Sequence, residues 1–550
     1  MKIQTVFIIT TLVLGLAESA PTLAADTASA AVACDAFSGD FFSGGKYAAG
    51  FAKIPDAPTT VISAKLIPAG GDGSIVQNDL PEMCRIEGQI APTVGFLLRM
   101  PTKNWNGKFM MGGCGGPCGN FLEDRIDPAL VRNYAVVTTD MGHKGSGWAF
   151  GYNNLQGMID FGFRATHVTA VAAKELIKTY YGRPAEKNYF SGCSTGGRQG
   201  LISAQRYPKD FDGIIAGAPP MTQTGWQALV QNWAATANHP NGKQILSESK
   251  LPLIHNAVLE ACDSLDGLKD GVLQHPPLCK WEPRQIQCKG TPNSSCLTAE
   301  EVSVVEKIYR GATWSDGKPL YFGNSGMARG TELKWAYDLK PPVGDNNSQA
   351  KYWGIVTTSG PTYDDISVDI DRDIPRLATV ETLFHHTNPD LRNFKSVGGK
   401  MIFYGGWDDN CCRANGMIDY YEMVTRTMGG LRSTQEFMRM FLPSGMDHCR
   451  YGIGGGEVDW LTALENWVEK GQPPEQVTAH HMIKEPYPAV PRALSDYGAP
   501  YTKMARYPLP PGSFDRAHPV YPYPDWPKYS GTGDSNNPNT WMRVKGQLGQ

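Results

Sequence analysis

The 550-residue chain has no excess of charge of either sign: 51 Lys and Arg stand against 54 Asp and Glu, a formal net charge of −3. That balance excludes nucleic acid or an anionic membrane as the main partner, because both demand a basic face, and it leaves a neutral or small ligand as the natural one. Beyond the N-terminus there is no apolar run long enough to cross a bilayer. Internal repeats and low-complexity segments are absent, and no Cys/His cluster has zinc spacing, so neither a repeat array nor a zinc-stapled fold is indicated.

What is present describes a large globular protein. A composition of 41% hydrophobic and 19% charged residues gives no reason for disorder along most of the length. The length predicts two domains, or one large domain with a long insertion. Met1 and Lys2 precede an apolar run from Val6 to about Ala17 and small residues at Ala24 and Ala25, the layout of a secretory signal peptide over residues 1–25. The run is too short for a stable membrane span, and the mature, exported chain is expected to begin near Ala25 or Asp26. Export gives the 12 cysteines a meaning, since an oxidising compartment lets an even number of thiols pair as structural staples.

Strand and helix alternate in the first half. Short strands are expected at Phe96 to Met100 and at Lys108 to Met111, the second running into GGCGGPCG, and another at Tyr134 to His143. A helix over Ala165 to Tyr181 closed by Gly182, a strand at Asn188 to Gly192, a helix at Thr195 to Tyr207 and a strand at Phe211 to Ala216 follow. This rhythm predicts an α/β fold with a mostly parallel sheet and helices on both faces. It stops at GAPP, Gly217 to Pro220, and resumes at Gly398 with GGKMIFYGGWDD, a helix through Tyr420 to Met428 and the strand FMRMFLPSG. Residues 26–220 and 391–550 therefore read as two parts of one catalytic domain, and 221–390 as a domain inserted between core strands. The stretch from Pro486 onward, rich in Pro and Tyr, is expected to wrap the surface.

The chemistry centres on YFSGCSTGGRQG. Gly192-Cys193-Ser194-Thr195-Gly196 satisfies G-x-S-x-G between a predicted strand and a predicted helix, the context of a serine nucleophile on a strained turn in an α/β-hydrolase fold. A Gly-rich strand-to-helix turn can also be only a turn. A serine hydroxyl needs a histidine to take its proton and an acid to orient that histidine, in the chain order Ser, acid, His. Asp408 and Asp409 in GGWDDN, and His448 in PSGMDHC, meet that order after the insertion; His480, His481 and His518 are competitors. His143 and His167 precede the serine and read as packing or hydrogen-bonding residues. Oxyanion donors are expected from the N–H of Thr195 and from the Gly112 to Gly119 loop, with Gly115 as the candidate.

These segments resemble the tannase and feruloyl esterase family, which includes mono(2-hydroxyethyl) terephthalate hydrolase. YFSGCSTGGRQGLISAQRYPKDFDGIIAGAPP, NPDLRNFKSVGGKMIFYGGWDD and DHC match it in order and spacing over most of the mature chain. The resemblance implies a disulfide between Cys193 and Cys449, clamping the serine turn to the histidine loop, and it makes Asp409 the acid with Asp408 in reserve. Gly405 departs from the family's usual histidine, and Cys411 and Cys412 follow where apolar residues are expected. Because the oxyanion loop also carries unusual cysteines, Cys114 and Cys118, at least one bridge between the two loops is expected; a Cys114–Cys118 or Cys411–Cys412 bond is the alternative.

In the inserted segment, CDSLDGLKDGVL sets Asp263, Asp266 and Asp270 in one glycine-rich turn. Such oxygen ligands suit calcium, although acidic turns are commonly only solvated loops. The resemblance implies a structural calcium site there, with carbonyls of Leu268 and Val272 completing it, and makes the segment a lid. Cys262 with Cys279, Cys288 with Cys296 and Cys34 with Cys84 are the expected staples. Trp335, Tyr352 and Trp353 are candidates to touch substrate, and no counterpart is found of the arginine that holds a terephthalate carboxylate. The expected activity is a secreted or periplasmic serine esterase acting on small aromatic esters, feruloyl or galloyl. A peptidase or lactonase on the same fold, or a non-catalytic polyphenol or glycan binder, are the alternatives.

Overall fold

A computed structural model describes residues 33–38, 45–71, 79–221, 231–320, 326–336, 339, 370–483 and 507–549. The expected signal peptide, Tyr352 and Trp353 lie outside these residues.

The core is a nine-stranded sheet. Its strands are β1 (Thr59–Ile67), β2 (Met83–Ile90), β3 (Val94–Pro101), β4 (Lys108–Gly112), β5 (Ala135–Thr139), β6 (Lys187–Cys193), β7 (Gly213–Gly217), β8 (Lys400–Tyr404) and β9 (Met438–Phe441). Their order across the sheet is β1-β2-β3-β5-β4-β6-β7-β8-β9. The first three strands and β5 pair antiparallel, and from β5 through β4 to β9 every pairing is parallel. Central strands such as β5 and β7 are buried on both faces and read as continuous apolar or small residues. Helices α1 (Ala165–Tyr181) and α2 (Thr195–Arg206) follow β5 and β6. Gly182 ends α1 at φ 72°, in the left-handed conformation that favours glycine. This is an α/β-hydrolase fold.

The strands β1 and β2 precede the first strand expected from the sequence, at Phe96 to Met100. Along β1 Thr59, Val61, Ala64 and Ile67 are buried, while Thr60, Ile62, Lys65 and Leu66 are exposed, the half-buried pattern of an edge strand. The 221–390 insertion runs between β7 and β8. It holds helices α3 (Leu251–Cys262) and α4 (Ala299–Arg310) and its own apolar cluster, including Leu251, Ile254, Val258, Trp281, Val305, Ile308 and Trp335. A capping box starts α4: Thr298 accepts from the Glu301 N–H, and Glu301 from the Thr298 N–H. Val380 and Phe384, from the end of the same stretch, instead join the main core, where Phe384 meets Phe161 edge-on.

Trp335 is a correction. It was a candidate substrate contact, but it is fully enclosed in the insertion's core, its indole N–H bonded to Thr331 Oγ1 at 3.0 Å and its ring edge-on to Tyr309. A ring that large at the centre of a small core holds the insertion together and has no face left for a ligand.

The tail forms two separate two-stranded sheets: β10 (Val477–Met482) pairs with β11 (Phe514–Val520), and β12 (Trp526–Tyr529) with β13 (Trp541–Val544). Neither extends the central sheet. Among the described residues no helix is long and apolar enough to cross a membrane.

Candidate active site

Ser194 stands between the end of β6 and the first residue of α2, at φ 63° and ψ −126°. A non-glycine residue in that region costs roughly 1–3 kcal/mol, so the surroundings must hold it there. Its N–H donates to the Gly217 carbonyl at 3.0 Å. The flanking glycines are needed for close approach: a Cβ on Gly192 would sit 2.7 Å from the Gly196 backbone, and one on Gly196 would sit 2.9 Å from the Cys114 carbonyl oxygen.

That carbonyl belongs to the Gly-rich loop after β4, which abuts the serine turn. The Gly196 N–H donates to Cys114 O at 2.9 Å, and Thr195 Oγ1 donates to Gly116 O at 2.7 Å. The Arg125 guanidinium donates to the same Cys114 carbonyl at 2.9 Å. Gly115 thus lies in a loop held on both sides against Thr195, and its N–H enters no backbone hydrogen bond among the described residues. The loop is also stapled internally by a Cys114–Cys118 disulfide. This corrects the expected bridge to the opposite loop: the two residues are only four apart in sequence, with Cα atoms at 5.4 Å, so each sulfur finds its partner locally. Cys411 and Cys412 form no disulfide.

Asp409 follows β8 and His448 follows β9, adjacent parallel strands whose ends bring the two loops together. Trp407 N–H donates to Pro443 O at 3.2 Å and Asp408 N–H to Met446 O at 3.0 Å, tying the loops backbone to backbone. Asp409 Oδ2 lies 2.8 Å from His448 Nδ1, while its Oδ1 accepts the N–H groups of Cys411 and Cys412, each at 2.8 Å. Both carboxylate oxygens are therefore fixed, and the imidazole is held through Nδ1. Asp408 differs. Burial, followed by the nearby Asp447 carboxylate, pushes its carboxyl up to about 8, which leaves it neutral at pH 7.

The Cys193–Cys449 disulfide spans 256 residues and joins the immediate neighbours of Ser194 and His448, with Cα atoms 5.8 Å apart. The three segments that carry Ser194, Asp409 and His448 thus meet at the carboxyl ends of β6, β8 and β9. The other histidines have partners elsewhere. His143 stacks on Phe150, and His167 bonds Asp210 and stacks on Tyr207. His480 meets Phe514, His481 bonds Asp515, and His518 bonds Gln274.

The acidic turn lies in the insertion, where Cys262–Cys279 and Cys288–Cys296 are bridged; Cys34–Cys84 ties the N-terminal segment to β2. Asp263 accepts from the Gly271 N–H, Asp266 from Leu268 and Gln274, and Asp270 from Val272, so the backbone wraps the carboxylates. Asp270 Oδ2 is buried with no hydrogen bond, its neighbouring cation Arg516 standing at 3.5 Å. Burial, reinforced by Asp270 and Asp263, raises the Asp266 carboxyl to about 7. Sequence reasoning missed what this turn supports: the Gln274 carbonyl accepts from Ser444 Oγ at 3.0 Å, linking the turn to the loop that bears His448. A second link, Lys334 Nζ to Asp447 Oδ2 at 2.9 Å, also crosses from the insertion to that loop.

Residues 76–544 match the family model described as tannase and feruloyl esterase. The chain is 32% identical to an uncharacterised esterase of Xanthomonas campestris pv. campestris over 474 residues, covering 76% of this chain and 82% of the relative. It is 31% identical to mono(2-hydroxyethyl) terephthalate hydrolase of Piscinibacter sakaiensis over 537 residues, 83% and 84% of the two chains. The crystal structure of feruloyl esterase B from Aspergillus oryzae superposes with a TM-score of 0.74 at 26% identity, covering 88% of this chain and 97% of that one. On the match that spans most of its length, and on the fold that accompanies it, the chain belongs to the tannase and feruloyl esterase family and is a carboxylic ester hydrolase.

Proposed function

We propose that the protein is an exported serine esterase that hydrolyses small esters of aromatic acids, such as feruloyl or galloyl esters, through Ser194, His448 and Asp409. The observation that carries this reading is the 2.8 Å contact between His448 Nδ1 and Asp409 Oδ2, with His448 one residue from a disulfide whose other half precedes Ser194. With Nδ1–H donated to Asp409, neutral His448 keeps Nε2 as an acceptor for the Ser194 hydroxyl proton. Ser194 Oγ then attacks the ester carbonyl. The oxyanion is received by the N–H groups of Thr195 and Gly115, and His448 returns the proton to the departing alcohol. Water, deprotonated by His448, hydrolyses the acyl-enzyme and frees the acid. The substrate class rests on the relatives' names, and export on the five disulfides, which suit an oxidising compartment.

The test is direct. A fluorophosphonate should label Ser194, read by peptide mass, and purified protein should cleave methyl ferulate or methyl gallate alongside p-nitrophenyl acetate. Absence of both labelling and turnover would refute the reading.

Removing the clamp should show its purpose. The double variant Cys193→Ala, Cys449→Ala is expected to lose roughly a hundredfold in kcat with little change in KM, since a displacement of about 1 Å can cost that much. Its stability should fall too, by at most about 5 kcal/mol on chain-entropy grounds for so long a loop. Steady-state kinetics and thermal melts check both.

Calcium in the acidic turn is part of the same proposal. The buried Asp270 Oδ2 accepts no hydrogen bond, with only Arg516 at 3.5 Å, and the family resemblance gives the carbonyls of Leu268 and Val272 as further ligands. Ca²⁺ holds oxygens at 2.3–2.6 Å, and the three carboxylates, which do not all lie within 4.8 Å of one another, would close on it. Its role would be to hold the turn, and through Gln274 and Ser444 the histidine loop, rather than chemistry. A carboxyl raised in the folded state binds a proton that the unfolded chain has released. Metal-free stability is therefore lost as pH rises from about 4 to about 7. The gain in Tm from added calcium should accordingly grow across that window and be smallest near pH 4; an equal gain at every pH would contradict this.

A further inference from the structure

Cys411 and Cys412 are the two cysteines that no staple uses, and they sit beside the imidazole assigned to catalysis. Their Sγ atoms are 3.4 Å apart, Cys412 is buried and Cys411 half-buried. Among the described residues, one set of three His, Cys, Asp or Glu ligand atoms has all members within 4.8 Å of one another: the two thiol sulfurs and a ring nitrogen of His448. The backbone N–H groups of both cysteines bond Asp409 Oδ1, so the thiols and the imidazole hang from the same carboxylate.

We propose that Cys411, Cys412 and His448 form a binding site for a soft divalent cation of the Zn²⁺ class, and that its occupation switches the esterase off reversibly. A tetrahedral Zn²⁺ with sulfur at about 2.3 Å and nitrogen at about 2.0 Å sets its sulfurs roughly 3.8 Å apart and sulfur and nitrogen roughly 3.5 Å apart. The observed thiol pair needs to open by only a few tenths of an ångström, and the imidazole to close by about 1 Å. The fourth position is left for water or a substrate oxygen.

The donor set is soft, so this site and the acidic turn select different ions: thiolates favour zinc-like cations, and the all-oxygen turn favours calcium. Cysteine thiols ordinarily keep their protons at neutral pH. Binding exchanges them without redox chemistry: two S–H bonds break, two metal–sulfur bonds form, and two protons leave for each ion bound. Inhibition follows from either ring nitrogen. An ion on Nε2 occupies the lone pair that would accept the Ser194 proton, and an ion on Nδ1 displaces Asp409.

The binding half stands on the cluster alone, whereas the inhibitory half rests on the esterase reading above, so the two are measured separately. On the calcium-replete full chain with both thiols counted as reduced, Co²⁺ is expected to bind one equivalent with a thiolate-to-metal absorption band. The band should appear equally in Ser194→Ala and be lost in Cys411→Ser and in Cys412→Ala. Zn²⁺ should lower p-nitrophenyl acetate hydrolysis at least tenfold, reversed by a chelator that prefers zinc to calcium. Each cysteine variant, referred to its own metal-free rate, should change less than twofold. No band, a band that survives in both cysteine variants, or thiols that titrate as an oxidised pair would overturn the site. A band without loss of hydrolysis would overturn the switch and leave the esterase reading standing, while a band in a protein with no hydrolysis at all would overturn the esterase reading and the switch with it and leave the metal site standing.

Discussion

Ser194→Ala is expected to lower kcat for p-nitrophenyl acetate by roughly 10⁴- to 10⁶-fold, the range in which removal of a triad serine leaves only oxyanion-hole and binding contributions. KM should change little, because the hydroxyl contributes to the reacting bond and not to holding the acyl group. Folding should be intact. Ser194 is buried at a turn held by its own N–H to the Gly217 carbonyl and by the disulfide at Cys193, none of which involves Oγ. His448→Ala should produce a comparable loss, and the double variant scarcely more than either single, since serine and base act as one unit. Steady-state kinetics with melting curves and fluorophosphonate labelling decide the matter. Residual activity within about tenfold of the parent, or additive losses in the double variant, would remove Ser194 from the reaction.

What could be read from the sequence was what has a local cause. The α1 span from Ala165 to Tyr181 has a 3.6-residue pattern and a glycine that must adopt φ 72°, and this end agrees with the structure, whereas the chain is already helical from Leu155, through a π-helical turn at Asp160–Arg164, before Ala165 is reached. The turn at Ser194 was legible because glycines at Gly192 and Gly196 are forced by backbone approaching within 3 Å, a constraint that leaves its mark in the pentapeptide itself. Legibility failed where the cause lies through space. Thr59–Ile67 has the β-branched run of a strand, but Pro58 and Pro68 at its ends equally suit a loop, and pairing with β2, sixteen residues on, decides it. Trp335 has the same composition cue as a substrate-gripping aromatic, and only the enclosing cluster of α3, α4 and Thr331 reveals a core residue. Facing loops with two cysteines each suggested a bridge between them. Cα atoms 5.4 Å apart within one loop instead allowed Cys114 and Cys118 to close on each other, leaving the Cys411 and Cys412 sulfurs beside His448.

The adjacent acids Asp408 and Asp409 should separate by about four orders of magnitude. Asp409→Asn is expected to lower kcat roughly 10⁴-fold, because an amide can present its NH₂ to His448 Nδ1 and impose the tautomer whose Nε2 carries a proton and cannot accept one from serine. Asp408→Asn should cost less than about threefold at pH 7. Its carboxyl, raised to about 8 by burial and then by Asp447, is already neutral there, and asparagine matches a neutral carboxyl in shape. The stability signature should run oppositely to an ordinary carboxylate. Between pH 4 and pH 8 folded Asp408 holds a proton that the unfolded chain does not, so its presence makes the parent progressively less stable as pH rises through that window. Asp408→Asn removes this dependence, and its Tm relative to the parent should climb from pH 5 to pH 8 and then level. Melts at those pH values, set beside the two kcat ratios, check the assignment. A large loss in Asp408→Asn with Asp409→Asn active would exchange the two roles, and the 2.8 Å contact at His448 would then be structural.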